Sequence, residues 1–169
     1  MKQFPRTVLA LTAARTVVNM TRRFAYPFIP AIAERVRVPV ASVQSALALS
    51  WGVGLFSPAF GVLSERFGRK PVMLGALGLM AAASLLGALV PQFWAFALVV
   101  IAFGVSKMIF DPALQAYIGD RVPFAKRARA WGAIELSWSV SLFVAAPLTG
   151  FLLEHTGLQP VFAVLLAFI

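Results

Sequence analysis

Five polar side chains recur on one face of the first apolar segment of this chain. Arg15, Asn19, Arg22, Arg23 and Tyr26 follow an i, i+4, i+7, i+8, i+11 spacing, which places them on one side of an α-helix. Moving an unpaired cation to the centre of a bilayer costs at least about 2.5–3.5 kcal/mol on insertion scales. The spacing therefore predicts that this face lines a wet cavity, with all five residues as candidates for contact with a solute.

The long arginine stems leave a second interpretation open. Arg15 can extend to the inner membrane surface, and Arg22 or Arg23 can extend to the outer one. For Arg15 alone the two interpretations are equally good, whereas three arginines on one stripe with Asn19 favour a functional cavity.

A second polar pair lies in the fourth apolar segment. Lys107 and Asp111 are four residues apart, so on a helix they share a face and can form an ion pair. Pro112 follows and permits a local kink. Carboxylates inside membranes serve in proton relays, which makes the pair a candidate for proton coupling; an ion pair that serves only helix packing fits equally well. Glu135 is interpreted as a charge at a helix N-terminus.

Composition indicates a membrane protein without a cofactor. The chain is 60% hydrophobic and 12% charged, with a mean hydropathy of +0.86, far from the balance of a soluble domain. It has no cysteine, which excludes disulfides and thiolate metal sites. The single histidine, His155, gives little basis for a metal or catalytic site, and no phosphate-binding loop for ATP occurs.

The apolar runs predict an all-α polytopic membrane protein with five complete transmembrane helices and the start of a sixth. The last run stops at Ile169 after part of a span, so residues 1–169 are expected to be the N-terminal transmembrane domain of a longer protein, with its C-terminal half as partner. The predicted spans cover about 7–31, 41–63, 72–90, 93–118, 130–153 and 160–169.

The distribution of cations predicts the orientation. Although the net charge is +9, the cations are spread over loops rather than clustered on a polar domain, which argues against nucleic acid as a partner. Alternate inter-helix segments contain nine Lys or Arg, and the other segments contain only Arg35 and Arg37. This bias predicts a cytoplasmic N-terminus in the plasma membrane. The nine are Lys2, Arg6, Arg66, Arg69, Lys70, Arg121, Lys126, Arg127 and Arg129.

Two similar turns indicate an internal repeat. Pro58–Val72 aligns without gaps with Pro147–Val161, at an offset of 147 − 58 = 89 residues, and seven of fifteen positions are identical. The identities include the Gly and Pro positions that fix backbone shape. The cations of the first copy are replaced in the second, as expected if three crossings put the copies on opposite faces of the bilayer. The replacements are Arg66 by His155, Arg69 by Leu158 and Lys70 by Gln159.

The first of these turns, GVLSERFGRKPVM, resembles the signature loop of the major facilitator superfamily, Gly-x-Leu-Ala-Asp-Arg-x-Gly-Arg-Lys-x-x-Leu. Glu65 stands where the family usually has Asp. A basic turn that serves only topology is the alternative, but topology requires no glycines or acid at fixed spacing. The resemblance implies a transporter of two six-helix halves, each built from inverted three-helix repeats. The matching residues are Gly61, Leu63, Arg66, Gly68, Arg69 and Lys70.

The same resemblance implies a gate. In the family this loop holds the cytoplasmic side shut in the outward-facing state, so Arg69 would pair with Asp120 at the inner end of helix four. Glu65 would act with the other half of the protein. Only Pro147 and Gly150 match the helix-five pattern of the family's drug–proton antiporters, so this pattern does not assign the chain to that subclass.

The function that these patterns favour is secondary active transport of a small solute by alternating access, coupled to an ion or proton. Two cations on the cavity wall make an anionic solute one option and a neutral solute the other. A non-transporting membrane sensor or scaffold is the first alternative, and a polytopic membrane enzyme is the second. The arginine stripe argues against a scaffold, which has no need of such costly residues.

The topology can be tested by single-cysteine labelling, since the chain has no cysteine of its own. We expect cysteines at Lys70 and Arg127 to be labelled only from the cytoplasm, and those at Arg37 and His155 only from outside. An impermeant maleimide applied to sealed cells makes the distinction. Labelling of position 70 from outside would contradict the orientation.

Overall fold

A computed structural model describes the backbone of residues 3–169 and the side chains of residues 7–56 and 60–169. Lys2, whose charge enters the topology prediction, lies outside the described residues, as do the side chains of Arg6 and Pro58. The predicted all-α architecture is confirmed, and residues 3–169 contain no β-strand. The helices are α1 (Gln3–Arg23), α2 (Ile29–Arg35), α3 (Val40–Gly52), α4 (Ser57–Phe67), α5 (Arg69–Leu89), α6 (Phe93–Arg121), α7 (Phe124–His155) and α8 (Leu158–Phe168).

Three of these helices, α5, α6 and α7, are each long and apolar enough to cross a membrane. A fourth crossing is present among the described residues if α3 and α4, which meet at a 58° bend, count as one span. With α1 alongside them, these helices form the bundle of a multi-pass membrane protein. The most extensive packing joins α5 to α6 and α1 to α7.

The first two predicted spans are each broken, and prolines account for the break in the first. After α1 the chain forms a 3₁₀ turn at Tyr26–Phe28 before α2 begins. Pro27 and Pro30 lie at the starts of these two short helices, where the missing N–H is tolerated. A second 3₁₀ segment, Val53–Phe56, separates α3 from α4. As a result, Tyr26 is not on the α1 helix with the rest of its predicted stripe.

The fourth and fifth spans are longer than expected. α6 extends to Arg121 through Pro112 without a break, and α7 begins at Phe124, so the predicted inner loop of residues 119–129 is mostly helical. Arg127 stabilises this tight connection by donating to the carbonyl oxygens of Gly119 at 2.6 Å and Val122 at 3.0 Å. These carbonyls belong to the end of α6, which lacks intrahelical donors for them.

The two similar turns have similar backbones. Gly68 between α4 and α5 has φ +89°, and Gly157 between α7 and α8 has φ +108°; their separation, 157 − 68 = 89, is the repeat offset. Both values lie in a region that glycine adopts without strain. An arginine secures each turn from a different element. Arg69 donates to Ser64 Oγ at 3.0 Å, and Arg35, from α2, donates to the Leu153 carbonyl at 2.6 Å.

A buried aromatic cluster joins the end of α1 to α6 and α8. Phe24 packs edge-on against Phe103 and Phe162, with ring centroids 6.3 and 5.4 Å away. Gly87 of α5 faces the Phe162 ring, and a Cβ at position 87 would lie 2.6 Å from it. The absence of a side chain at Gly87 therefore sets how closely α5 and α8 approach.

This close approach predicts opposite effects for two glycines of the same helix. Gly87→Ala should lower the free energy of unfolding by about 1–3 kcal/mol, because the methyl group overlaps the Phe162 ring. Gly78→Ala is the matched control, since no atom lies within 4 Å of its added Cβ, and it should be neutral or stabilising by up to about 1 kcal/mol. Thermal unfolding of the full-length protein in detergent measures both. Equal stability of the two variants would contradict the packing described.

Candidate functional site

Asn19 is the centre of a buried polar network that joins three helices. Its side chain on α1 is 2% exposed. Its Oδ1 accepts a hydrogen bond from Lys107 Nζ on α6 at 2.9 Å, and its Nδ2 donates to Ser137 Oγ on α7 at 3.1 Å. Because a buried amide without partners is costly, these bonds fix the rotation of α1 against both neighbours.

A chain of ion pairs continues from Lys107. Its Nζ lies 2.8 Å from Asp111 Oδ2, the pairing that the sequence spacing allowed. Asp111 Oδ1 is 3.7 Å from Arg15 Nε, and Arg15 Nη1 is 2.6 Å from Glu135 Oε1. Arg15 is buried and turned toward carboxylates, so it does not extend to the membrane surface. Each of these two acids therefore compensates a cation inside the bundle.

Glu135 differs from the sequence interpretation. The expectation was a charge at the N-terminus of the fifth span, but α7 begins at Phe124 and Glu135 lies about three turns inside it. There it is the closest carboxylate partner of Arg15. Only the packing of α1 on α7 makes this pairing visible, because the two residues are 120 positions apart in sequence.

The charges in this region do not balance. The charged cluster has four cations and two carboxylates, for a formal net charge of 4 − 2 = +2. Among the described residues, Arg22 and Arg23 form no salt bridge. In a low-dielectric interior such an excess attracts anions strongly. The charged cluster consists of Arg15, Arg22, Arg23, Lys107, Asp111 and Glu135.

Arg22 interacts with two residues of α3 and has no acidic partner among the described residues. Its Nη1 donates to Ser50 Oγ at 2.9 Å, and its guanidinium lies 4.5 Å from the centroid of the Trp51 ring. Gly104 on α6 permits this arrangement, because a Cβ there would collide with the Ser50 carbonyl oxygen and lie 3.2 Å from Arg22 Nη1. Glycine at position 104 is thus needed for α3 to approach α6 and for Arg22 to reach Ser50.

Aromatic side chains complete the site. Arg23 stacks on Trp138 at 3.8 Å from the ring centroid and donates from Nη1 to the Trp138 carbonyl at 3.3 Å. Trp51 Nε1 donates to the hydroxyl of Tyr26. Both tryptophans are partly exposed toward the centre of this region, and stacking on indole faces stabilises guanidinium groups.

These residues surround a pocket of about 370 Å³. It brings together four of the five residues predicted on the α1 face with Lys107, whereas Arg15 and Asp111 line none of it. Trp51 and Trp138 also line the pocket, and the sequence gives no signal for them, since no spacing along the chain connects them to the arginines. The lining residues are Asn19, Arg22, Arg23, Tyr26, Pro27, Trp51, Lys107, Trp138 and Leu142.

The basic turn forms a separate site at one end of the bundle. Arg69 Nε lies 3.2 Å from Asp120 Oδ2 at the end of α6, which is the partner that the family resemblance suggested. Asp120 is more than half exposed, so the pair is solvated. The remaining residues of the predicted gate are distributed over the two flanking helices, with Gly61, Leu63, Glu65 and Arg66 on α4 and Lys70 on α5.

Among the described residues, three helices, or four with the bent pair, are long and apolar enough to cross a membrane, and together they define a multi-pass membrane protein. Residues 11–169 match the sequence profile of the Major Facilitator Superfamily, and the chain belongs to this family. The match spans nearly all of the described helices.

Several named members of the family are similar in sequence. The MFS-type transporter YwfA of Bacillus subtilis (strain 168) is 30% identical over 85% of this chain. The multi-drug resistance efflux pump PmrA of Streptococcus pneumoniae (strain TIGR4) is 30% identical over the same share, and the multidrug resistance protein MdtG of Salmonella typhi is 34% identical over 80%. The chain covers 35–37% of the length of these relatives.

Proposed function

We propose that this chain is the N-terminal transmembrane domain of a secondary active transporter in the plasma membrane, with its N-terminus in the cytoplasm. The observation that carries the proposal is the pocket at the centre of the bundle, which contains more cations than carboxylates. An excess of buried charge is costly in a membrane protein and serves ion or substrate pathways. Relatives that are named as transporters and efflux pumps support the same class.

The transport cycle we propose is alternating access. The C-terminal half of the full protein would close the open side of the pocket, and the two halves would rock about the solute. The α1 wall of the pocket is fixed to α6 and α7 through Asn19, so these helices would move as one body. The solute would carry negative charge, because the charged cluster has a formal excess of two cations.

Asp111 is the residue through which we propose that a proton is coupled. Its two oxygens face Lys107 and Arg15, and Glu135 neutralises the far side of Arg15. Protonation of Asp111 would raise the formal charge of the cluster from +2 to +3 and so strengthen the attraction for an anion. Proton and anion would then bind cooperatively and move in the same direction, since linkage between two ligands is reciprocal.

Transport in proteoliposomes containing the full-length protein tests this function. With an imposed pH gradient, an internal pH-sensitive dye should report proton entry when a transported organic acid is added. We expect Asp111→Asn to abolish accumulation driven by the gradient while downhill exchange persists. Glu154→Gln, which removes an exposed acid at the far end of α7, is the control and should behave as wild type.

Two results would count against the proposal. If the wild-type protein moves neither solute nor protons over a broad panel of small anions and neutral compounds, a sensor or scaffold becomes the better interpretation. If Asp111→Asn accumulates solute at the wild-type level, Asp111 does not carry the coupled proton.

The Arg69–Asp120 pair is proposed to hold the cytoplasmic side closed. Exposed pairs of this kind contribute about 0.2–1 kcal/mol, so Asp120→Asn should lower the transport rate by up to about fivefold without preventing membrane insertion. The swapped variant, Arg69→Asp with Asp120→Arg, should recover part of the rate. A double-mutant cycle on the full-length protein gives the coupling energy, and a value of zero would reject the gate. Arg129→Gln, which removes another exposed cation, controls for the loss of surface charge.

A further inference from the structure

Arg22 differs from every other cation of the pocket in its hydrogen bonding. Its side chain is 6% exposed, and only Nη1 has a partner. Nε and Nη2 are buried and form no hydrogen bond with any described residue. Leaving charged donors buried and unpaired is unfavourable. The two free nitrogens therefore mark a position at which an acceptor is missing.

The two nitrogens are on the same edge of the guanidinium plane. Nε–H and the neighbouring N–H of Nη2 point in parallel directions, the geometry with which arginine binds a carboxylate through two hydrogen bonds. Ser50 holds Nη1 on the other side, and the Trp51 ring stacks on the group at 4.5 Å. Arg22 is thus oriented by the protein but left with a bidentate edge unused.

The other pocket cations are already engaged. Lys107 donates to both Asp111 and Asn19. Arg23 stacks on Trp138 and donates to its carbonyl oxygen. Neither has an orphaned buried nitrogen among the described residues. An anionic group that enters the pocket would therefore gain most at Arg22.

The rest of the wall is aromatic and aliphatic. Trp51 and Trp138 are 50% and 38% exposed, which leaves indole surface available beside the guanidinium groups. Tyr26, Pro27 and Leu142 continue this apolar side. A volume of about 370 Å³ falls within the range of small-molecule sites. The pocket is consequently suited to a ligand with one charged end and a flat apolar body.

We infer that the pocket binds an aromatic organic acid, with its carboxylate on the Nε–Nη2 edge of Arg22 and its ring system against Trp51 and Trp138. This inference rests on the proposed transport function and specifies the class of solute. The Arg22 edge is covered in the present arrangement. We propose that the carboxylate reaches this edge through a local side-chain movement, and that the half-exposed Trp51, which stacks on the guanidinium, is the side chain that moves.

Calorimetric titration of the purified full-length protein with three probes tests the inference. 2-Naphthoate is the expected ligand, 2-naphthamide lacks its charge, and cyclohexanecarboxylate lacks its aromatic body. We expect 2-naphthoate to bind at least about tenfold more tightly than either comparator, since both the charge-assisted bonds and the stacking contribute. Inorganic phosphate should compete only weakly.

Variants test which residue binds the carboxylate of the ligand and which residue contacts its ring system. Arg22→Gln and Arg22→Lys should each weaken 2-naphthoate binding at least about tenfold, because neither offers the planar fork. Trp138→Leu should weaken 2-naphthoate but change cyclohexanecarboxylate binding by less than about twofold. The matched controls are Arg129→Gln and Trp94→Leu, which remove an exposed arginine and a tryptophan outside the pocket and should bind as wild type.

The inference is overturned if 2-naphthoate does not bind, if 2-naphthamide or phosphate binds equally well, or if Arg22→Gln binds normally. Should Arg22→Gln fail to elute as a folded protein, Arg22→Lys and Trp138→Leu still decide the matter. The proteoliposome assay separates this inference from the proposed function. Transport of other anions without 2-naphthoate binding would reject only the solute class, whereas 2-naphthoate binding without any transport would reject only the transporter.

Discussion

The cost of burying charge in a membrane is the constraint on which the rest of this structure depends. Lys107, Asp111, Arg15 and Glu135 form a line of ion pairs that crosses from α6 to α1 to α7. Arg15 and Lys107 are buried, so removing a carboxylate partner leaves a buried cation uncompensated, which costs more than the pair contributes. The mutual positions of these three helices are therefore tied to a polar network, and Asn19 adds the bonds that fix the register of α1.

The two copies of the repeat share one turn conformation of the backbone. Gly68 and Gly157 adopt positive φ angles at equivalent positions, so the same turn closes both halves of the repeat. The arginine that stabilises each turn comes from a different element of the fold. At the first turn, Arg69 is next to Gly68 in sequence, whereas at the second the arginine comes from α2, as Arg35. The backbone geometry is thus retained while the charge of the loop is free to follow membrane orientation.

Two features distinguish the pocket. Its cations exceed its neighbouring acids, and its wall includes aromatic rings stacked on guanidinium groups. Stacking lowers the cost of the excess charge without neutralising it. The positive excess is thus retained while both guanidinium groups stay packed against indole rings.

The sequence by itself determined that the protein lies in a membrane, that it is all-α and that it contains an internal repeat. It also determined which polar residue types lie at the centre of the bundle. Helical spacing placed Arg15, Asn19, Arg22 and Arg23 on one face, and an i, i+4 spacing joined Lys107 to Asp111, because these relations depend only on local geometry. Only the tertiary structure decided which charges are paired. Glu135 and Arg15 are 120 residues apart, and Trp51 and Trp138 reach the pocket through the packing of α3 and α7 around α1. The roles of these long-range partners follow from helix packing, which periodicity along a single chain does not specify.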